Sequence, residues 1–447
     1  MIFFVVRVIR ISLCRKIIYS SDILPSQRNF FCTLRYNCTL IAYTKLVRRN
    51  FLLRIKYFWT FQSRNHDTSV IISIETSPRG IKMSKISVST VLITFALLVS
   101  AAGTVVESAS SDNTETPADQ PKTPYTKIAE IPCGMEPKQV IFSPDNNYIY
   151  IPLMEEKGFQ IYNIEKKNLI TCTDPLEITN EKYFVEGIFV NRNSTKRFLI
   201  SQLTKAVFVE YDVADPANPK YLRAVPTGGS WPKVLAYSPS LDCVAVSNWT
   251  SNSVSIIDYE SGKVIKRIKG IKVPRGLAFT SDGKYLLIAS YEGGTISRIN
   301  TATWTTDKTI QRGKAAMRHI VLHPDGKRCY VSNMMHAEIY EIDLQQFKIV
   351  HVFKAQDKPN TIDLTRSGKF LFVSNRGPNN PQGYTKRSLK KGSIQVFDTE
   401  QRKLIGVIPG GTQPTGLDVS NDDKYLAFSN FQDNSIELYD IQGLTGK

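Results

Sequence analysis

The chain has 447 residues and a formal charge of +17. At face value that charge points to nucleic acid or an acidic membrane surface. Residues 1–82, however, hold 14 Lys and Arg against three acids, which is +11, and leave only +6 for the other 365 residues. Net charge therefore excludes nothing but a strongly acidic protein, and it carries no argument for nucleic-acid binding by the body of the chain.

Residues 1–82 are rich in Ile, Phe, Arg, Asn and Tyr without clear periodicity. They read as a non-native upstream extension or a disordered segment, the alternative being a real basic extension. At Met83 the sequence becomes MSKISVSTVLITFALLVSAAG. Lys85 supplies a basic start, Val88 to Val99 an uncharged apolar run, and Ser100, Ala101 and Ala102 the small residues of a cleavage site. This is the layout of a signal peptide, residues 83–102, with translation starting at Met83. The apolar run is shorter than the roughly 20 residues of a membrane-spanning helix, so a signal anchor is the weaker alternative and no span is expected in the mature chain. The expected location is exported: periplasmic, or secreted to the outer surface. Residues 103–124 are rich in Ser, Thr, Pro and acids and read as a flexible linker.

From residue 125 the chain repeats itself. Copies start at Pro137, Val185, Pro232, Pro274, Met317, Pro359 and Pro414. The copy PRGLAFTSDGKYLLIAS shows the pattern: an apolar run, a turn such as TSDG, SPDN or HPDG, and a second run that ends in Ser-Asn elsewhere. A third run of alternating pattern (SVSIIDY, SIQVFD, SIELYD) follows, then a fourth such as KVIKRIKG. Period-2 alternation punctuated by turn residues reads as four antiparallel strands. Four strands in about 40 to 45 residues make one propeller blade. The last copy stops after its third strand, and YTKIAEIPCG at Tyr125–Gly134 matches the fourth strand KLIGVIPGG of copy six. Residues 125–447 are thus predicted to be an all-β, seven-bladed β-propeller closed by its N-terminal strand, which removes the exposed edge of an open array.

This architecture removes a metal site that the segment from Met317 to Asp343 otherwise suggests. On a helix His319 and His323 would share a face. On a strand they lie roughly 13 Å apart at ~3.3 Å per residue, too far for one ion. No metal and no cofactor is expected. Cys133, Cys172, Cys243 and Cys329 show no CxxC or CxxCH spacing, so haem attachment is not expected either. Cys243 and Cys329 read as buried thiols inside strands.

The segments YVSN, FVSN, AVSN and AFSN, with the SPDN and HPDG turns and IIDYESGKVI, resemble the signature of YVTN-repeat β-propellers over residues 126–447. The resemblance implies the fold and leaves function open, because that family includes surface-layer proteins, spirochaetal surface antigens and a periplasmic DNA-binding member. More remotely it includes lactonases and haem or copper reductase domains. WD40 repeats are disfavoured, since neither Gly-His nor Trp-Asp occurs.

In such propellers the loops entering the innermost strand, and those joining strands two and three, surround one channel mouth. The residues after the copy anchors are Lys138, Glu186, Lys233, Arg275, Arg318, Asn360 and Thr415. Four basic residues around a concave mouth would focus potential on an anion. His319, Trp231, Trp249, His336 and Arg376 are expected on the same face, with Tyr291, Phe431 and an insertion in copy six, RGPNNPQGYTKRSLKKG. The expected function is a non-catalytic, monomeric binding or scaffold module for a protein, a glycan or a small anionic ligand. One alternative is a lactonase-like hydrolase using Glu186, Arg275, Arg318 and His319. The other is single-stranded nucleic-acid binding on the same cations and aromatics.

Overall fold

The computed structural model describes residues 8–11, 38–41, 53–62, 67–76, 124–173, 181–383 and 386–446. The expected signal peptide and the expected linker up to residue 123 lie outside these, as does most of residues 1–82. The chain divides into two units, 1–115 and 116–447. In the first, Val8–Ile11 pairs with Cys38–Ile41 and Leu53–Gln62 with Asp67–Thr76, both antiparallel.

The second unit holds seven four-stranded antiparallel sheets. Blade three shows the design, with strands Pro232–Ser238, Cys243–Asn248, Ser253–Asp258 and Val264–Lys269. Its second strand, CVAVSN, is buried along its whole length, whereas its fourth, VIKRIK, buries only Ile268. Polarity therefore rises outward across each blade. The innermost strands of the other blades are Ile141–Phe142, Phe184–Arg192, Pro274–Phe279, Met317–Leu322, Pro359–Leu364 and Pro414–Val419. From blade two onward each innermost strand touches the next and the last touches the first, while Phe184–Arg192 meets blade one through its second strand, Tyr148–Pro152.

Alternate residues of a strand face opposite sides of the sheet, so every blade has two apolar faces to cover. The core accordingly forms seven clusters, one at each junction between adjacent blades. Closure is by Thr126–Pro132, which pairs with Ser435–Asp440 and places Ile131 opposite Ile436. Ile131 and Ile436 join Val140, Phe142 and Ile149 in the cluster between the last blade and the first. The unit has essentially no helix: a single turn, Gln442–Thr445, follows the last strand. No helix among the described residues is long and apolar enough to cross a membrane.

The weak copy is a full blade, but its register differs from the sequence alignment. Phe184, not Val185, stands opposite Gln202, as Pro232 stands opposite Asn248. The sequence anchored this copy one residue late because an aromatic replaces the usual proline.

The Ser-Asn signature is structural. In most blades the innermost strand carries a β-bulge just after its anchor, as between Pro232 and Leu235, Met317 and Ile320, and Pro359 and Ile362. A bulge leaves backbone groups without ladder partners and re-aims a side chain. The signature serine supplies the missing partners. Ser332 Oγ accepts from His319 N at 3.1 Å and donates to Asn360 O of the next blade at 2.7 Å. Ser374 does the same with Thr361 N and Thr415 O. In blades five and seven the asparagine fixes the loop above: Asn333 Oδ1 accepts from Ala316 N at 3.1 Å, and Asn430 Oδ1 from Gly411 N at 2.8 Å.

His323 and Asp325 occupy the turn after the first strand of blade five. His323 Nδ1 lies 3.0 Å from Asp325 Oδ2, and Asp325 Oδ1 accepts from Lys327 N at 2.8 Å. Cys243 and Cys329 are buried and Cys133 is half-buried; all three are thiols.

Candidate functional site

The position just after each blade's anchor, which in blades two to seven lies in the bulge, holds Lys138, Val185, Lys233, Arg275, Arg318, Asn360 and Thr415. Glu186 belongs one step deeper, in the slot of His319, since its N–H donates to Ser201 as that of His319 does to Ser332. Gly416 shares that deeper slot, and a Cβ there would come within 2.4 Å of Gln139 Cα, so the close approach of the first and last blades requires glycine.

A second ring stands above the first, made by the residue that follows the second strand. In it are Trp249, Tyr291, Met334, Arg376 and Phe431, and each N–H donates to the residue before its blade's anchor: Trp231, Val273, Ala316, Lys358 and Gln413. Four of those acceptors, Trp231, Val273, Lys358 and Gln413, have left-handed backbone, with φ between 49° and 58°. Such backbone is strained for non-glycine residues, above all for the β-branched Val273, and such strain concentrates at functional sites.

Lys138, Lys233, Arg275 and Arg318 are each 9% exposed or less. The aromatic ring packs on them. Lys138 Nζ lies 4.8 Å from the Phe431 centroid, and the Arg376 guanidinium lies 5.7 Å from the same ring. Lys233 Nζ is 5.5 Å from Trp231 and 5.8 Å from Trp249, and the Arg275 guanidinium is 5.9 Å from Trp249. Trp249 in turn packs on Tyr291 with centroids 5.1 Å apart. Cations at these distances are attracted by the ring faces.

Arg275 forms a buried ion pair with Glu186 across blade three. Arg376 donates to Gln413. Beyond these, buried polar atoms lack partners: Arg275 Nη1, Arg318 Nε, Arg376 Nε, Gln413 Nε2 and His319 Nδ1. Native proteins pair almost all such atoms, and the acceptors Asn248 Oδ1 and Asn375 Oδ1, just before Trp249 and Arg376, also lack partners.

Crowding shifts the titration of the whole group. Burial, reinforced by Arg318, Arg376, Arg275 and Lys233, holds the Lys138 ammonium well below the ordinary lysine range. Burial likewise brings Lys233 down to about 7, with Arg275 adding to the shift and Glu186 opposing it. His319 falls to about 4, again chiefly by burial. Burial alone would raise the Glu186 carboxyl, but Arg275, Arg318, His319 and Lys138 together hold it below the usual value. Burial depresses Arg318 and brings Arg376 down to about 10. Guanidinium groups keep their proton in proteins, so the two lysines and His319 are the groups that yield theirs.

His336 is not brought in. It lies exposed on the loop between strands two and three of blade five, beside Glu338. The insertion of copy six folds onto blade seven: Arg387 pairs with Asp433, and Ser388 N donates to Gln432 Oε1 at 2.8 Å. Its Lys386, Lys390 and Lys391 stay exposed. Sequence reasoning missed Gln413, although it precedes its anchor proline just as Trp231 does.

A closed ring of seven four-stranded blades around a cation-lined, aromatic-rimmed mouth defines the molecule as a seven-bladed β-propeller. Residues 305–447 match the family model described as Lactonase, 7-bladed beta-propeller. Antigen Lp49 of Leptospira interrogans serogroup Icterohaemorrhagiae serovar copenhageni (strain Fiocruz L1-130) is 34% identical over 325 residues, covering 71% of this chain and 70% of that protein. The chain belongs to the β-propeller family of Antigen Lp49. More distant relatives are two 6-phosphogluconolactonases. One is from Yersinia enterocolitica, 22% identical over 67% of this chain and 92% of that protein. The other is from Formosa agariphila, 24% identical over 49% and 69%.

Proposed function

We propose that this protein is an exported, non-catalytic binding propeller whose channel mouth takes a small anionic group, a carboxylate or phosphate, free or carried by a protein or glycan. The observation that carries the reading is the set of buried donors without acceptors on Arg275, Arg318, Arg376 and Gln413. An anion there would satisfy the orphaned N–H groups and relieve the repulsion among the cations. Kinship with a protein named as an antigen supports a surface location and a binding role.

A thermal-shift screen of the full chain tests this reading against phosphate, citrate and 6-phosphogluconate, with glucose as the neutral control. Anions should raise the melting temperature, by an amount that falls with added salt, and glucose should not. No shift with any anion at low salt would overturn it.

The second reading is a lactonase-like hydrolase. It is favoured by the similarity of residues 305–447 to the lactonase model and by Glu186 lying beside Arg275 and His319. It predicts turnover of sugar lactones that Glu186→Gln abolishes, and hydrolysis no faster than in buffer would remove it.

A further inference from the structure

Lys233 enters the mouth from the bulge of blade three and is 8% exposed. Its Nζ sits between the Trp231 and Trp249 rings, and Trp249 also carries the Arg275 guanidinium. Buried lysines ordinarily pair with a carboxylate. Among the described residues no carboxylate is ion-paired with Lys233, and Glu186, which faces this group, is taken by Arg275. Lost hydration and the like charge of Arg275 and Arg318 disfavour the charged form of this amine, against the smaller pull of the two ring faces and of Glu186. That is the general way a lysine is prepared to attack a carbonyl.

Access and ligand class follow from the neighbours. Trp231, the outer wall of the lysine site, is 45% exposed, whereas Lys138 lies beneath Phe431, which is 9% exposed. Arg275 Nη1 and Arg318 Nε are the unpartnered donors nearest in the ring sequence, and a carboxylate suits them.

We infer that Lys233 is a nucleophilic amine that captures a small 2-oxo acid as an imine, with the acid's carboxylate on Arg275 and Arg318. This rests on the anion-binding reading above and adds a covalent step to it. The nitrogen lone pair forms the N–C bond to the carbonyl carbon while the C=O π pair moves to oxygen. Both amine protons pass to that oxygen, the C–O bond breaks, and water leaves as the C=N bond forms. Nothing is oxidised or reduced.

The full chain is incubated with pyruvate and cyanoborohydride at neutral pH, then read by intact mass and peptide mapping. One reduced adduct per chain is expected, on Lys233, forming at least about tenfold faster than on any other lysine. Acetone, which has the carbonyl without the carboxylate, should react about tenfold more slowly or worse. The labelling rate should be half-maximal near pH 7, as the Lys233 amine requires, and Lys233→Met should remove the adduct. Mapping the wild-type adduct keeps the test decisive even if that variant folds poorly. An adduct on Lys138, labelling spread over surface lysines, or acetone matching pyruvate would overturn the inference. Lactate has the carboxylate and no ketone, so it separates the two readings. A thermal shift with lactate but no adduct with pyruvate overturns the covalent step alone, and the absence of both overturns the anion site as well.

Discussion

Arg275 of blade four reaches over blade three to pair with Glu186 of blade two, with only 5% of the arginine side chain and 13% of the glutamate side chain exposed. The pair fixes one cation of the mouth and places the carboxylate that an incoming anion must face. Removing one partner of a buried pair leaves the other uncompensated. Glu186→Gln should therefore lower stability by about 2 kcal/mol in denaturant titrations. The same change should tighten phosphate binding about fivefold, because it deletes the negative charge in the site. Calorimetry that found weaker binding would show instead that Glu186 orders the site for its ligand.

His319 sets a pH dependence. Its folded-state value of about 4 lies below the ordinary histidine value, so between about pH 4 and pH 6.5 the unfolded chain binds more protons than the folded one. Stability then rises with pH across that window and is fully present above it. Urea melts of the wild type and His319→Gln should show a wild-type advantage that grows from pH 4 to pH 6.5 by up to about 3 kcal/mol and then stays flat. A constant difference across the window would mean that His319 is not held neutral.

The carboxyl pair Asp363 and Asp418 behaves with the opposite sign. Asp363 Oδ2 accepts from Val419 N at 2.9 Å, and Asp418 Oδ2 accepts from Phe142 N at 2.7 Å, stitching blades six, seven and one together. Burial raises both carboxyls, and for Asp418 the neighbouring Asp363 raises it further. The folded state holds the extra proton, so the pair's contribution is present at low pH and is lost as pH rises above the ordinary carboxylate range. Asp418→Asn keeps an oxygen for Phe142 N and removes one of the two like charges. It should stabilise the protein at pH 8 by at least about 1 kcal/mol and confer no gain at pH 3. Paired melts at the two pH values check this.

The signature serine is open to direct substitution. Ser332→Ala leaves His319 N and Asn360 O without their partner in a buried bulge. It should cost about 1–3 kcal/mol by chemical denaturation, against a few tenths for an exposed serine such as Ser281.

The seven copies and the ring closure were legible in the sequence because both follow from local pattern: alternating residues, Asp-containing turns and a missing fourth strand. The register of blade two was not, since Phe184 in place of proline hides the anchor. Lys138, Lys233, Arg275 and Arg318 were found from their position after each anchor, but their burial depends on Trp249 and Phe431 from other strands closing over them. The pairing of Arg275 with Glu186 links residues 89 positions apart and exists only once the ring is closed. His336 stays outside the mouth because it is the third residue of its four-residue loop, whereas Trp249, Tyr291, Met334 and Phe431 are each the first residue of a loop of the same length.

The most direct measurement is calorimetric titration of phosphate into the full chain and into a double variant, Arg275→Gln with Arg318→Gln, at matched low salt. The wild type should bind with one-to-one stoichiometry, and the variant's affinity should fall by at least about tenfold, the loss of ~1.4 kcal/mol or more expected when charged donors are removed from a buried anion. Equal affinity in the two proteins, or no binding by the wild type, would contradict an anion site at the channel mouth.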